Sequence, residues 1–168
     1  EGGNITIGDI DGASQETVTL DAGTGTTSVG VIGSGTEIGG LTIGSSDNGG
    51  ITLNGAITTD GAVTIDGPVT LATGAVSVTT ANDAITFNHS IDGGQTLTLS
   101  SGSAAITFTG ALGASTSLGG LTVNSAGAGN ITFSSTIGDA ENAGVVGTTA
   151  IGNAATNDLN FNSTIYSF

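Results

Sequence analysis

The 168-residue chain has no lysine, no arginine and no cysteine, and a single proline at Pro68. Fourteen Asp and Glu face no basic side chain, so the formal net charge is −14. A polyanion without fixed cations cannot neutralise phosphates, which excludes nucleic acid as a partner. The same lack removes attraction to anionic membranes and leaves a trypsin-like protease nothing to cut. Each carboxylate must therefore be solvated, hydrogen-bonded to backbone amides or bound to a metal ion, and cations are the expected small partners. Without cysteine there are no disulfides and no thiolate metal sites. No apolar run approaches the roughly 18–20 residues of a membrane span. No signal peptide is visible, and a strand-like pattern begins at once with no charged or helical cap at Glu1. The expectation is a mature protein or a piece of a longer one.

What is present is glycine, 31 residues of it, with Ile, Val, Leu, Ala and Thr. There is no G-X-Y period, so collagen is excluded. β-Branched residues fit a pleated sheet. A triplet of the form apolar–Thr–apolar recurs, as in Ile5-Thr6-Ile7, Leu41-Thr42-Ile43, Val63-Thr64-Ile65, Ile85-Thr86-Phe87, Ile106-Thr107-Phe108 and Ile131-Thr132-Phe133. Side chains alternate faces along a strand, so each triplet points two apolar groups inward and one hydroxyl outward. Between triplets stand turn pairs such as Asp11-Gly12, Asn54-Gly55, Asp60-Gly61, Asp66-Gly67 and Asp92-Gly93, which supply the positive-φ positions of tight turns.

A longer period lies above the triplet. IGGLTIGSSDNGGITLNGAI (38–57) matches LGGLTVNSAGAGNITFSSTI (118–137) at an offset of 80. The chain is read as one domain, 1–168, holding about two copies of an 80-residue unit (1–80 and 81–160) and a divergent C-terminal strand, 158–168. Such repetition points to a solenoid. The triplets sort into two columns, near positions 5, 29, 51, 69, 85, 106, 131 and 159 and near 18, 41, 63, 76, 97, 121 and 145. The expected fold is all-β, a right-handed parallel β-solenoid (β-helix) with coils of about 20–24 residues. Seven or eight coils at ~4.8 Å each make a rod of about 35 Å. The alternative is a β-sandwich with terminal strand exchange, since short strands about 10 residues apart also describe that fold.

The segments ITFNHSIDGGQTLTLSSGSAAITFTGALGASTSLGGLTVNSAGAGNITF (85–133) and GAITTDGAVTIDGPVTLATGAVSVTTANDAITF (55–87) resemble the β-strand repeats of large bacterial surface and secreted proteins, similar to autotransporter-type and filamentous-haemagglutinin-like adhesins. The resemblance covers most of residues 1–137, and the tail from 138 departs from it. It implies an exported, elongated protein, located outside the cell or on the bacterial surface, and it supplies no catalytic residues.

Asp11, Asp60, Asp92 and Asp139 follow strands at comparable places, and Asp9 with Asp11 and Asp139 with Glu141 form i, i+2 pairs. Stacked on one edge, these oxygens would suit calcium, the one cofactor the sequence suggests. The competing reading is that each Asp shapes its own turn. The outward threonines suggest a hydroxyl array of the kind found on ice-binding faces, although only Thr17/Thr19 and Thr96/Thr98 are paired. His89 is the single histidine and reads as a surface or turn residue. Asn4, Asn88, Asn130 and Asn162 fit the glycosylation acceptor pattern.

No nucleophile motif or phosphate loop is present, aromatic platforms for sugars are scarce, and acidic-sugar enzymes need cations that this chain lacks, so the expectation is no enzyme. The expected role is a structural filament or matrix fibre outside the cell, formed by end-to-end self-association through Leu159, Phe161, Ile165, Tyr166 and Phe168. The alternative is a rigid stalk in a large adhesin. A minor alternative is a surface that binds calcium, a cell-surface glycan or ice.

Overall fold

The computed structural model describes residues 2–44 and 49–168; the uncapped start expected at Glu1 lies outside them. The triplets become short strands, and all of their pairings are parallel. Sheet A contains β1 (Ile5–Ile7), β3 (Thr27–Val29), β5 (Ile51–Leu53), β8 (Val69–Leu71) and β11 (Ile91–Asp92). Sheet B contains β6 (Ile57–Thr59), β9 (Val76–Thr80), β12 (Thr96–Ser100), β14 (Gly120–Asn124) and β16 (Thr149–Ile151). Sheet C contains β2 (Thr17–Leu20), β4 (Gly40–Gly44), β7 (Val63–Asp66), β10 (Ile85–Phe87), β13 (Ile106–Phe108), β15 (Ile131–Phe133) and β17 (Leu159–Phe161). No helix occurs among the described residues. The chain is a parallel β-solenoid, and the seven strands of sheet C mark about six turns. A turn takes between 18 residues (Ile51 to Val69) and 29 (Ile137 to Tyr166).

The coil has three sides, where the triplets alone suggested two columns. The third was hidden because some rungs shrink to one bridged residue, too short to show as a triplet. Ile10 and Ile32 continue the side of sheet B below β6, and Leu112, Ile137 and Tyr166 continue the side of sheet A beyond β11. With these included, side A has eight rungs and sides B and C have seven each, twenty-two in all, visited in the strict order A, B, C. The expected columns had crossed from one side to another: Val69 lies on sheet A and Ile85 on sheet C.

The 80-residue unit spans eleven rungs, or three turns and two sides. Segment 41–43 therefore lies on sheet C while its counterpart 121–123 lies on sheet B, and Ile51–Leu53 on sheet A corresponds to Ile131–Phe133 on sheet C. The two copies are related by a step of one side around the axis. The same sequence can thus occupy different sides of this solenoid.

The inward residues of all three sheets join one hydrophobic cluster. Rungs about 4.8 Å apart bring identical side chains into contact. On sheet C this stacks Phe87 on Phe108 (ring centroids 5.8 Å apart), Phe108 on Phe133 (4.7 Å) and Phe133 on Phe161 (5.2 Å), with interplanar angles of 9°, 7° and 7°. At the corner after sheet B, buried Thr59, Thr80, Ser101 and Ser125 replace the apolar residues. Their hydroxyls donate to carbonyls, for example Ser101 Oγ to Ala104 O at 2.6 Å and Ser125 Oγ to Ala104 O at 3.0 Å. Each buried hydroxyl is thereby satisfied while it closes a turn.

Candidate functional site

The aspartates divide between two corners instead of lining one edge. Asp11 and Asp60 follow rungs on side B, whereas Asp92 and Asp139 belong to or follow rungs on side A, as the one-side step of the repeat requires. Asp11 Oδ1 accepts from Gly35 N–H at 2.8 Å, and Asp92 Oδ1 accepts from Ser115 N–H at 2.8 Å and Thr116 N–H at 3.0 Å. In both cases the carboxylate ties its own turn to that of the next coil. Asp9 Oδ1 does the same to Val31 N–H at 3.1 Å. Asp139 Oδ1 accepts within its own turn from Glu141 N–H at 2.8 Å and Asn142 N–H at 2.6 Å. Asp60 Oδ2 accepts from the Gln15 side-chain amide.

These amides favour the charged carboxylate. The Gly35 amide leads in holding Asp11 below its ordinary range, and the Glu141 amide does so for Asp139. Glu16, which the sequence did not single out, is held lowest, at about 2, chiefly by the Ser14 amide and then by its own and that of Ala13. Nothing local in the sequence marks Glu16; its role depends on the turn formed by residues 13–16. An open hollow of about 260 Å³ lined by Ser14, Gln15, Thr36, Glu37 and Asp60 lies beside it. Among the described residues, no three His, Cys, Asp or Glu come together in a group suited to a metal ion.

His89 Nε2 stands 3.6 Å from Asp66 Oδ1, with both side chains about one-third exposed (32% and 35%). The pair is an ion pair when the imidazole is protonated, and it borders the outer face of sheet C. That face carries a feature the triplets only hinted at. Thr19, Thr42, Thr64, Thr86, Thr107 and Thr132 pair in register on successive strands, and Asn160 ends the column. The result is an uncharged, one-residue-wide row of hydroxyls, each about 4.8 Å from the next.

The C-terminal tail completes the last coil and does not reach away from it. Leu159–Phe161 is the seventh strand of sheet C, and Tyr166 bridges Ile137 on side A. The Tyr166 ring meets Phe161 edge-on at 4.8 Å, and its hydroxyl accepts from Ser163 N–H. The core continues to this end without a polar cover: Leu159 is 42% exposed, Phe161 39%, Ile165 39% and Phe168 56%. An open hollow of about 310 Å³, lined by residues that include Ile151, Thr156 and Leu159, separates the last rungs of sheets B and C. At the opposite end Ile7, Ile10 and Val18 are only partly buried against the core. The outer edges of β1 and β2 at one end, and of β16 and β17 at the other, have no neighbouring strand among the described residues.

No helix among the described residues is long and apolar enough to cross a membrane. Comparison with known proteins found no matching family model, curated protein or solved structure.

Proposed function

We propose that this chain is a structural, extracellular protein, a subunit or segment of a bacterial surface filament or matrix fibre. The observation that carries the reading is the stack itself: among the described residues three parallel sheets enclose one continuous apolar core, an architecture that grows by adding rungs on strand edges. The carboxylates support a scaffold role, because those with the strongest contacts lock turns and so stiffen the rod. The missing Lys and Arg suit long residence where proteases act.

A stalk within a longer adhesin is the second reading, favoured by the eleven-rung repeat, which extends naturally along one polypeptide. The mass of the native protein separates the two: about 15.9 kDa for an assembling subunit, several times more for a stalk. Sedimentation of the purified chain tests assembly. The expected result is a distribution that shifts to larger species as concentration rises; one monomeric boundary at every concentration removes the filament reading.

A further inference from the structure

We propose that the outer face of sheet C binds a linear, uncharged polysaccharide laid along the solenoid axis. This adds a ligand to the scaffold role and applies to a filament subunit and a stalk alike. Two further columns flank the threonine row, because side chains two residues apart return to the same face about 7 Å away. On one flank are the methyl groups of Ala62, Ala84 and Ala105. Their carbonyls accept from Leu41, Val63 and Ile85 N–H, which keeps them in register with the strands. On the other flank are Asn88, Thr109 and Ser134, whose N–H groups donate to Ile65, Phe87 and Phe108 O. From β7 to β15 the face is therefore banded along its length: methyl, then threonine with both methyl and hydroxyl, then polar side chains. Asp66, beside His89, begins the polar band on β7. Phe87, Phe108 and Phe133 point the other way, into the core, so the methyl band takes the place of an aromatic platform.

A pyranose ring is divided in the same way, with apolar C–H faces and a rim of hydroxyls. Rings running along the axis set C–H groups on the alanine and threonine methyls and hydroxyls over the polar band. Charge selects the same partner. The chain carries −14, yet Thr86, Asn88, Thr107, Thr109, Thr132 and Ser134 are all neutral. An acidic polymer is repelled by the protein as a whole, and an uncharged one is not. The polar band is also free to bond. Among the described residues Asn88, Thr109 and Ser134 have no side-chain partner, whereas the corner amides of Asn54, Asn82 and Asn142 are tied to Ser28, Ser103 and Asp139. Threonine is restricted at χ1, so the row loses little freedom on contact. It runs through six strands, from Thr19 to Thr132, a length that suits a polymer better than a single sugar.

Affinity electrophoresis of the full-length chain at low salt tests this, with hydroxyethyl cellulose, glucomannan or alginate set into native gels. The expected result is retardation by at least one of the two neutral polymers and none by the acidic alginate. Replacing Thr86, Thr107 and Thr132 together by valine removes three hydroxyls and keeps the β-branched shape; the retardation should be lost. Ala105→Asp, which places a charge in the methyl band, should lose it as well. Thr52→Val with Thr70→Val, on the outer face of sheet A, should retain it, and thermal melting confirms that each variant is folded. No retardation by either neutral polymer, equal retardation by alginate, or retardation that survives both sheet C changes overturns the proposal. A chain that is not retarded but shapes growing ice crystals also overturns it, and assigns the row to ordered water. The outer face of sheet C takes no part in stacking rungs, so the sheet C variants should sediment like the unmodified chain. Failure here therefore leaves the filament reading standing.

Discussion

Two kinds of side chain have most influence on this coil. The first is the phenylalanine column. Phe108 is stacked between Phe87 and Phe133 and is 1% exposed. Replacing it with alanine opens a cavity in the middle of the stack, at a cost of about 3–5 kcal/mol. Denaturant unfolding should show that loss for Phe108→Ala and a clearly smaller one for Phe161→Ala, whose ring is 39% exposed. Equal losses would mean that the last rung is as enclosed as the middle ones. The second kind is the amide-bound carboxylate. Glu16 is held at about 2 from an ordinary 4.5, so its folded pKa lies below its unfolded one. Its contribution is present above pH 4.5 and disappears as pH falls through about 2. Glu16→Gln should therefore lower the melting temperature at pH 7 and have a much smaller effect near pH 2. An equal effect at both pH values would show that charge on Glu16 is not what the turn uses.

At the scale of the element, the turns set the register. Gly33 and Gly113 are counterparts in the two copies and have φ of +72° and +64°. A Cβ on Gly113 would meet Gly144 O at 2.0 Å, and one on Gly33 would meet Thr58 O at 2.1 Å. Backbone crowds both sites, so Gly113→Ala should cost more than the roughly 1 kcal/mol of an ordinary φ-restricted glycine change; a neutral result in thermal melting would show that the turn relaxes. The strands themselves could be read from the triplets, because the alternation of two inward apolar residues around an outward Thr is local. The third side could not. Ile10, Ile32, Leu112 and Ile137 are lone bridges, and a lone aliphatic residue has no period to detect. The roles of the carboxylates were equally out of reach. Asp11 and Asp92 looked like members of one ladder, but which corner each reaches depends on the number of rungs between them. The residues of the apolar end were legible as an aromatic tail with position 159 in a triplet column, whereas the lone bridge of Tyr166 to Ile137 was not.

For the whole molecule, the proposed assembly has to work against a uniform charge. Every copy carries −14 with no cation to offset it, so end-to-end contact opposes a long-range repulsion. At 0.01 M salt the screening length is about 30 Å, comparable to the rod; at 0.15 M it is about 8 Å. Assembly should therefore rise steeply with ionic strength, as light scattering across a salt series would record, and scattering that falls with added salt would point to ion-paired contacts that this composition does not provide. The eleven-rung repeat also means that a feature tied to one position of the unit, such as the turn of Asp11 or its counterpart at Asp92, changes side from one unit to the next and returns to its side after three steps.

Electron microscopy of the purified chain at high concentration and salt tests the structural reading most directly. The expected image is of thin, unbranched rods many times longer than the roughly 30 Å set by six to seven rung spacings of ~4.8 Å. A field of uniform single particles about that long would contradict it.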